Sequence, residues 1–263
     1  MALNKHGRTM QTLPQEMQQH TYAIMDGVED SHWWFVGRRA ILESFLRPIC
    51  DELSAEQGDS LRILDVGCGT GANIKMLLQF GEAEGVDVSD DALEFCRQKG
   101  LKVHKGVAEE LPFEDESFDL TTALDVIEHL DDDVAGLKEM FRVTRKGGRS
   151  LIFVPAFMWL WGVQDDISHH RIRYTKRQIV DRLKAAGYEI ERATYANFTF
   201  FAPILGGRTI MKLTGIKPES ENNITISGLN GVFGKLFGAE RFWLRSFNFP
   251  FGVSIVISAR RPA

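Results

Sequence analysis

The sequence predicts an open α/β sheet, doubly wound and mostly parallel, with seven strands and helical cap insertions. Three observations carry that prediction. From residue 61 onward, short apolar runs alternate with helix-period segments. The first run, Leu61 to Val66, passes through a turn rich in glycine (Gly67, Gly69, Gly71) directly into a helix. The second apolar run ends in a carboxylate, Asp87, about 20 residues beyond Asp65.

Residues 1 to about 20 are rich in Gln, Met, Thr and His without a sustained helical period, which predicts a mobile start. Tyr22 and the cluster His32, Trp33, Trp34, Phe35 precede an amphipathic helix over Arg38 to Leu53, whose apolar face is Ile41, Leu42, Phe45, Leu46 and Ile49. A polar linker, Glu56 to Ser60, enters the first strand, where Ile63, Leu64 and Val66 suit burial on both faces. The helix after the glycine turn spans Ala72 to Phe80, with Ile74, Leu77 and Leu78 on one face. Ala83 to Val88 is the second strand, and Ser89-Asp90-Asp91 caps a helix that ends at Gly100. Further strands follow at Leu101 to His104, at Ser117 to Leu124 and, after a turn at Lys146 to Gly148, at Ser150 to Val154. Asp131, Asp132 and Asp133 suit the positive end of the helix before that turn. Thr175 and Gln178 form a capping box for a helix carrying Ile179, Val180 and Leu183; Tyr188 to Tyr195 and Val253 to Ala259 complete the sheet. The organisation is an aromatic and helical lid (1–55), an α/β core (56–196), a cap insertion (197–250) and a final core strand (251–263).

The chain has 263 residues, 44% hydrophobic and 25% charged, enough for one large core with elaborations. A net charge of −5 gives no general attraction to polyphosphate, which disfavours nucleic acid as partner. Cys50, Cys68 and Cys96 lack metal or redox spacing, and neither an apolar signal segment nor a membrane-spanning run is present; the expectation is a cytoplasmic protein with no metal site. Nothing in the sequence speaks to oligomeric state.

Glycines at the strand end let the backbone approach a ligand, and a carboxylate at the end of the next strand can accept hydrogen bonds from a ribose, so a nucleoside-containing ligand is expected there. The pattern Asp65-x-Gly67-x-Gly69-x-Gly71 places an acid inside the motif, which suits a cationic amino-acid moiety better than a pyrophosphate. On these residues the chain resembles the class I S-adenosylmethionine (SAM) dependent methyltransferases, over roughly Leu61 to Pro155. The resemblance implies a Rossmann-like class I methyltransferase fold and SAM as cofactor. It implies cofactor contacts from Asp65, Gly67, Cys68, Gly69, Gly71, Asp87 and Val88. It further implies Val107, Ala108 and Glu109 beside the adenine, Leu124 and Asp125 beside the methionine portion, and Arg38 on the SAM carboxylate. The family's usual adenine-binding aspartate is replaced by Val107.

Beyond Pro155 lie Trp161 and the cluster His169, His170, Arg171, Arg173, Tyr174, just before the Thr175 cap. Charge-assisted hydrogen bonds and a helix N-terminus there favour an anionic group, with pairing of Arg171 and Arg173 to Asp165, Asp166 or other acids as the alternative. Tyr22, Trp34 and Arg39 join the expected acceptor site. The candidate proton-handling groups are His129, His169 and His170, with Glu128 available to stabilise positive charge. The expected activity is SAM-dependent methylation, at O, N or C, of a small, partly apolar, anionic molecule such as a phosphorylated isoprenoid, lipid or sugar precursor. A non-catalytic SAM-binding partner or sensor, and an RNA methyltransferase, are the rival readings. Two apolar segments within 197–245 form a cap over the acceptor or, alternatively, a peripheral membrane contact.

Overall fold

A computed structural model describes residues 19–58, 60–215 and 229–263. The stretch expected to be mobile, 1–20, falls almost wholly outside the described residues, as does part of the cap, 216–228.

In chain order the elements are α1 (Gln19–Val28), α2 (Trp33–Gln57), β1 (Leu61–Val66), α3 (Ala72–Leu77), β2 (Gly81–Asp87), α4 (Asp90–Gln98), β3 (Val103–Lys105), β4 (Phe118–Leu124), α5 (Asp133–Val143), β5 (Thr144–Pro155), α6 (Val163–Ile167), α7 (Lys176–Ala185), β6 (Glu189–Ala196), α8 (Phe201–Thr214), α9 (Asn230–Leu244) and β7 (Ser254–Arg260). The strands form one seven-stranded sheet in the order β3-β2-β1-β4-β5-β7-β6. Strands β1 to β5 pair in parallel, while β7 inserts antiparallel between β5 and β6. The expected doubly wound, mostly parallel architecture is therefore present. The strand order reverses between β1 and β4, and in open α/β sheets such a switch point opens a crevice beyond the carboxyl ends of the strands.

Several local expectations are corrected. Helix α2 begins five residues earlier than expected because the His32 ring accepts a hydrogen bond from the Trp34 backbone N–H at 3.3 Å. It runs through the first part of the expected linker and ends at Gly58, whose φ of 74° supplies the left-handed stop. Helix α3 ends at Leu77, so Leu78 turns to solvent instead of extending the apolar face. The Lys146 to Gly148 turn lies inside β5, as an irregularity where pairing jumps from Phe118 with Thr144 to Leu120 with Arg149.

The lid and the cap share a layer. Helix α9 packs on α2 at a glycine: a Cβ on Gly37 would lie 2.5 Å from the Phe237 ring, so only glycine permits this approach. Trp33 meets Phe200, Phe233 and Phe237 at the same junction. This aromatic seam roofs the carboxyl ends of the strands.

Candidate active site

One cavity of about 800 Å³ occupies the space beneath that roof. Its floor is the ends of β1 (Val66 to Gly69), β2 (Val86 to Val88), β4 (Leu124 to Val126) and β5 (Pro155), with Gly106 to Ala108 after β3. Its walls are Tyr22, Trp33, Trp34 and Phe35 from the lid and Phe200, Pro203, Ile204, Met211 and Phe233 from the cap. Of the expected cofactor residues, Gly67, Cys68, Gly69, Asp87, Val88, Val107, Ala108, Leu124, Asp125 and Arg38 line it. Asp65, Gly71 and Glu109 do not.

The glycine turn is shaped by backbone geometry. Gly67 has φ 67°, and a Cβ there would lie 2.5 Å from Val126 Cγ2. Asp87 anchors the turn: Oδ2 accepts from the Gly69 N–H at 2.8 Å and Oδ1 from the Ser89 N–H at 2.9 Å. The same carboxylate lies at the cavity wall. Lid helix α1 is latched over this turn, with Thr70 donating to Glu29 at 2.6 Å and Lys99 bridging Asp26 and the Thr70 carbonyl.

Asp65 departs from expectation. It sits fully buried behind the turn, where Oδ1 accepts from the Thr122 hydroxyl at 2.6 Å, so it shapes the loop from below instead of facing the ligand. Burial pushes its pKa up to about 7, against the Thr122 hydrogen bond and the Arg38 charge. A pKa raised above its unfolded value means that stability from this group is fully present below about pH 4 and lost as pH rises through 7. Asp65→Asn, which cannot ionise, is expected to be more resistant to urea than the parent above pH 7, by up to about 4 kcal/mol, with the gap closing toward pH 4. Urea midpoints measured across that range check it.

Arg38 is buried, with its guanidinium 2.8 Å from Asp125 and 3.3 Å from the Asn73 side-chain oxygen. Its Nε–H is buried without a hydrogen-bond partner. Asp125, at the end of β4, has φ 62°, a conformation that turns its carboxylate from the strand toward α2. Burial raises its pKa and Arg38 opposes that rise.

Of the expected anion-site residues, only His170 and Arg173 are brought together at the cavity. Asp165, fully buried, gathers the charges instead: it accepts from Arg173 Nη1 at 2.7 Å, pairs with His170 Nδ1 at 2.8 Å and lies 3.5 Å from Arg208. Burial alone would raise its pKa, but the His170 bond and the Arg173 and Arg208 charges overcome it and hold the carboxyl well below its usual range. Arg173 reaches the cavity wall, and its Nε and Nη2 donate to the Ala156 and Val253 carbonyls. Arg171 lies at the surface, paired with Asp131 and bonded to the His129 carbonyl. Tyr174 is buried outside the cavity, donating to Asp133 at 2.8 Å, and Trp161 donates outward to Asp166 at 2.9 Å. Arg173 and Arg171 thus each pair with an acid, Asp165 and Asp131, the kind of pairing that the alternative reading expected.

Among the expected catalytic groups, His129 and His170 line the cavity; His169 and Glu128 do not. Burial, then the neighbouring histidines, lowers the His129 pKa to about 3, so its imidazole is neutral at pH 7 and a weak base. Of the expected acceptor residues, Tyr22, Trp34 and Arg39 are on the wall, with Arg39 donating to the Glu29 carbonyl at 2.6 Å.

Sequence reasoning missed Asp165 as the hub, Glu29 as the lid latch, and Asn197. Asn197 is fully buried with φ 57°, lines the cavity, and has neither amide atom hydrogen-bonded. Its position just after β6, at a strand end, was the available signal.

Residues 64–152 match the family model described as a methyltransferase domain. A demethylmenaquinone methyltransferase of Mycobacterium sp. (strain KMS) is 39% identical over 107 residues, covering 40% of this chain and 46% of that protein. The chloroplastic 2-methyl-6-phytyl-1,4-hydroquinone methyltransferase 2 of Oryza sativa subsp. japonica is 27% identical over 168 residues, covering 60% and 48%. The chain therefore spans about half the length of these curated relatives. Among solved structures, a SAM-dependent methyltransferase of Thermotoga maritima superposes with a TM-score of 0.56 at 21% identity, over 94% of this chain and 100% of that one. The fold and the cofactor class expected from the glycine turn agree with these matches.

Proposed function

We propose that this chain, whose residues 64–152 match the methyltransferase-domain family model, is a SAM-dependent enzyme that methylates a small, largely apolar molecule with a hydroxylated ring, of the quinol type. The observation that carries this reading is that a single cavity joins the glycine turn to an aromatic chamber whose lining arginines, Arg38, Arg39, Arg173 and Arg208, each already lie within 3.9 Å of a carboxylate. The relatives named for quinone and hydroquinone substrates support it.

The residues present fit the cofactor. Asp87 sets its carboxylate at the cavity wall where a ribose would lie, Gly67 leaves room that a Cβ would fill, and Arg38 keeps a buried Nε–H for a carboxylate. Val107 and Ala108 would flank the adenine. Bound there, SAM supplies an electrophilic methyl group for in-line displacement. The chain aligns the acceptor and excludes water. Trp33, Trp34, Phe200 and Phe233 form the ring-binding walls, and His129 and His170 are the polar pole toward which a hydroxyl would point. Asn197 offers a second hydrogen bond inside an otherwise apolar wall. Asn197→Ala is expected to raise the acceptor KM about 10-fold with donor Kd unchanged, as for a lost hydrogen bond in a dry pocket; steady-state kinetics with varied acceptor check it.

The cap serves both cover and contact in this reading. Pro203, Ile204, Gly207 and Met211 of α8 face the cavity, while Ile210, Leu213, Val232, Leu236, Phe242 and Trp243 are exposed beside Lys212, Lys235 and Arg245. Among the described residues no helix is long and apolar enough to cross a membrane, but this face suits an anionic lipid surface from which an apolar acceptor could enter. Flotation with phosphatidylglycerol vesicles should recover the chain, and the double change Leu213→Glu, Phe242→Glu should reduce recovery about 10-fold.

Incubation with methyl-labelled SAM and either a lipid extract or a water-soluble metabolite extract tests the activity. Label in a hydroxylated, apolar ring compound is the expected result. Label confined to anionic soluble molecules or to RNA, or no transfer by a chain that binds SAM, would overturn the reading.

A further inference from the structure

The sequence predicts no metal site, but the short 3-10 turn Ile127–His129 after β4 places a carboxylate where the fold gives it nothing to do. Glu128 is completely buried, and neither of its carboxylate oxygens has a hydrogen-bond partner. A buried unpartnered carboxylate is costly, and one that serves no structural pairing points to an absent binding partner. Glu128, His129 and His170 each offer one ligand atom, and these atoms all lie within 4.8 Å of one another.

The surroundings of His170 strengthen the case. Its Nδ1 is 2.8 Å from Asp165 Oδ1, and Asp165 is itself fixed by Arg173 and by the Gly162 backbone N–H at 2.7 Å. A histidine whose Nδ1–H is engaged by a carboxylate presents the lone pair of Nε2, the outer-shell arrangement of metal-bound histidines. That Nε2 lies 3.9 Å from Glu128 Oε1. Donors of a tetrahedral zinc site, with bonds near 2.1 Å, stand about 3.4 Å apart, so side-chain adjustments alone close the set.

We propose that Glu128, His129 and His170 form a site for one divalent transition-metal cation. Two imidazoles and a carboxylate suit Zn²⁺ or its first-row neighbours, whereas Mg²⁺ and Ca²⁺ prefer all-oxygen sets. Both histidines line the cavity, so the open coordination position faces the acceptor chamber. Resting on the hydroxylated-ring reading above, the cation would hold the acceptor oxygen and lower its pKa, so that its proton passes to solvent water before methyl transfer.

Titration of the chelator-stripped full chain with ZnCl₂ in a calorimeter tests the site. One ion per chain is expected. Glu128→Gln and His170→Ala should each weaken binding at least about 10-fold, while His104→Ala, at the far sheet edge beside Glu84, leaves it unchanged. Far-UV circular dichroism and retained affinity for the demethylated donor establish that each variant is folded, and His129→Asn carries the test if Glu128→Gln is not. Absence of saturable binding, or binding that survives these changes, overturns the proposal. Zinc binding without transfer to any ring compound would instead overturn the acceptor reading and leave the site standing.

Discussion

Asp165→Ala is expected to lower stability by about 3–5 kcal/mol, the cost of breaking a buried ion network by removing one partner. The reason is geometric: Arg173 and Arg208 are both buried and share this carboxylate, and His170 loses the group that orients its ring. Urea denaturation followed by circular dichroism should show a lower midpoint with an unchanged slope. Because the Asp165 pKa is depressed, its contribution is present above the usual carboxylate range and is lost only as pH falls through the lowered folded value. The difference between parent and variant should therefore persist from pH 5 to pH 8. A difference that vanishes between pH 6 and pH 5 would place the stabilising charge on another group.

Gly67→Ala should cost roughly 10- to 100-fold in affinity for the methyl donor, since a non-glycine residue held at positive φ costs about 1–3 kcal/mol. The added Cβ also meets Val126 at 2.5 Å, so the turn can relax only by moving away from β4 and from the cavity floor. Calorimetry with the demethylated donor measures the loss. Gly147→Ala makes the control: it has φ 76°, so it carries comparable backbone strain, but it lies at the opposite end of β5 and should lower stability without changing donor affinity.

The sheet was legible because its determinants are local. Apolar runs of strand length, glycine at the strand end and the Thr175–Gln178 capping box all act within a few residues of themselves. The donor side of the cavity was legible for the same reason, with one exception. Asp65 and Asp87 look equivalent in sequence, but the carboxylate on β1 faces the buried Thr122 of the adjacent strand while the one on β2 ends at the turn. Which face a strand residue takes depends on its neighbours in the sheet.

The acceptor side was less legible because its charges are settled over long chain separations. Arg173 bonds to the Val253 carbonyl, Arg208 to the Leu160 carbonyl, and Asp165 joins His170 and Arg173 to Arg208 of α8. A run of histidines and arginines before a helix reads as an anion site until its counter-ion is located, and the counter-ion here is buried in α6, an element that has no sequence period of its own. The metal-ligand role proposed for Glu128, and Asn197 altogether, were opaque for a related reason. A carboxylate in an Ile-Glu-His run and an asparagine after a strand are unremarkable residues, and only burial without hydrogen-bond partners marks them.

A crystal structure of the chain with the demethylated donor tests the central claim most directly. The account predicts its ribose within hydrogen-bond reach of Asp87, its carboxylate against Arg38 and its sulfur directed past Asp125 into the aromatic chamber. Density for the donor elsewhere on the surface, or oriented with its sulfur away from His129 and His170, would contradict it.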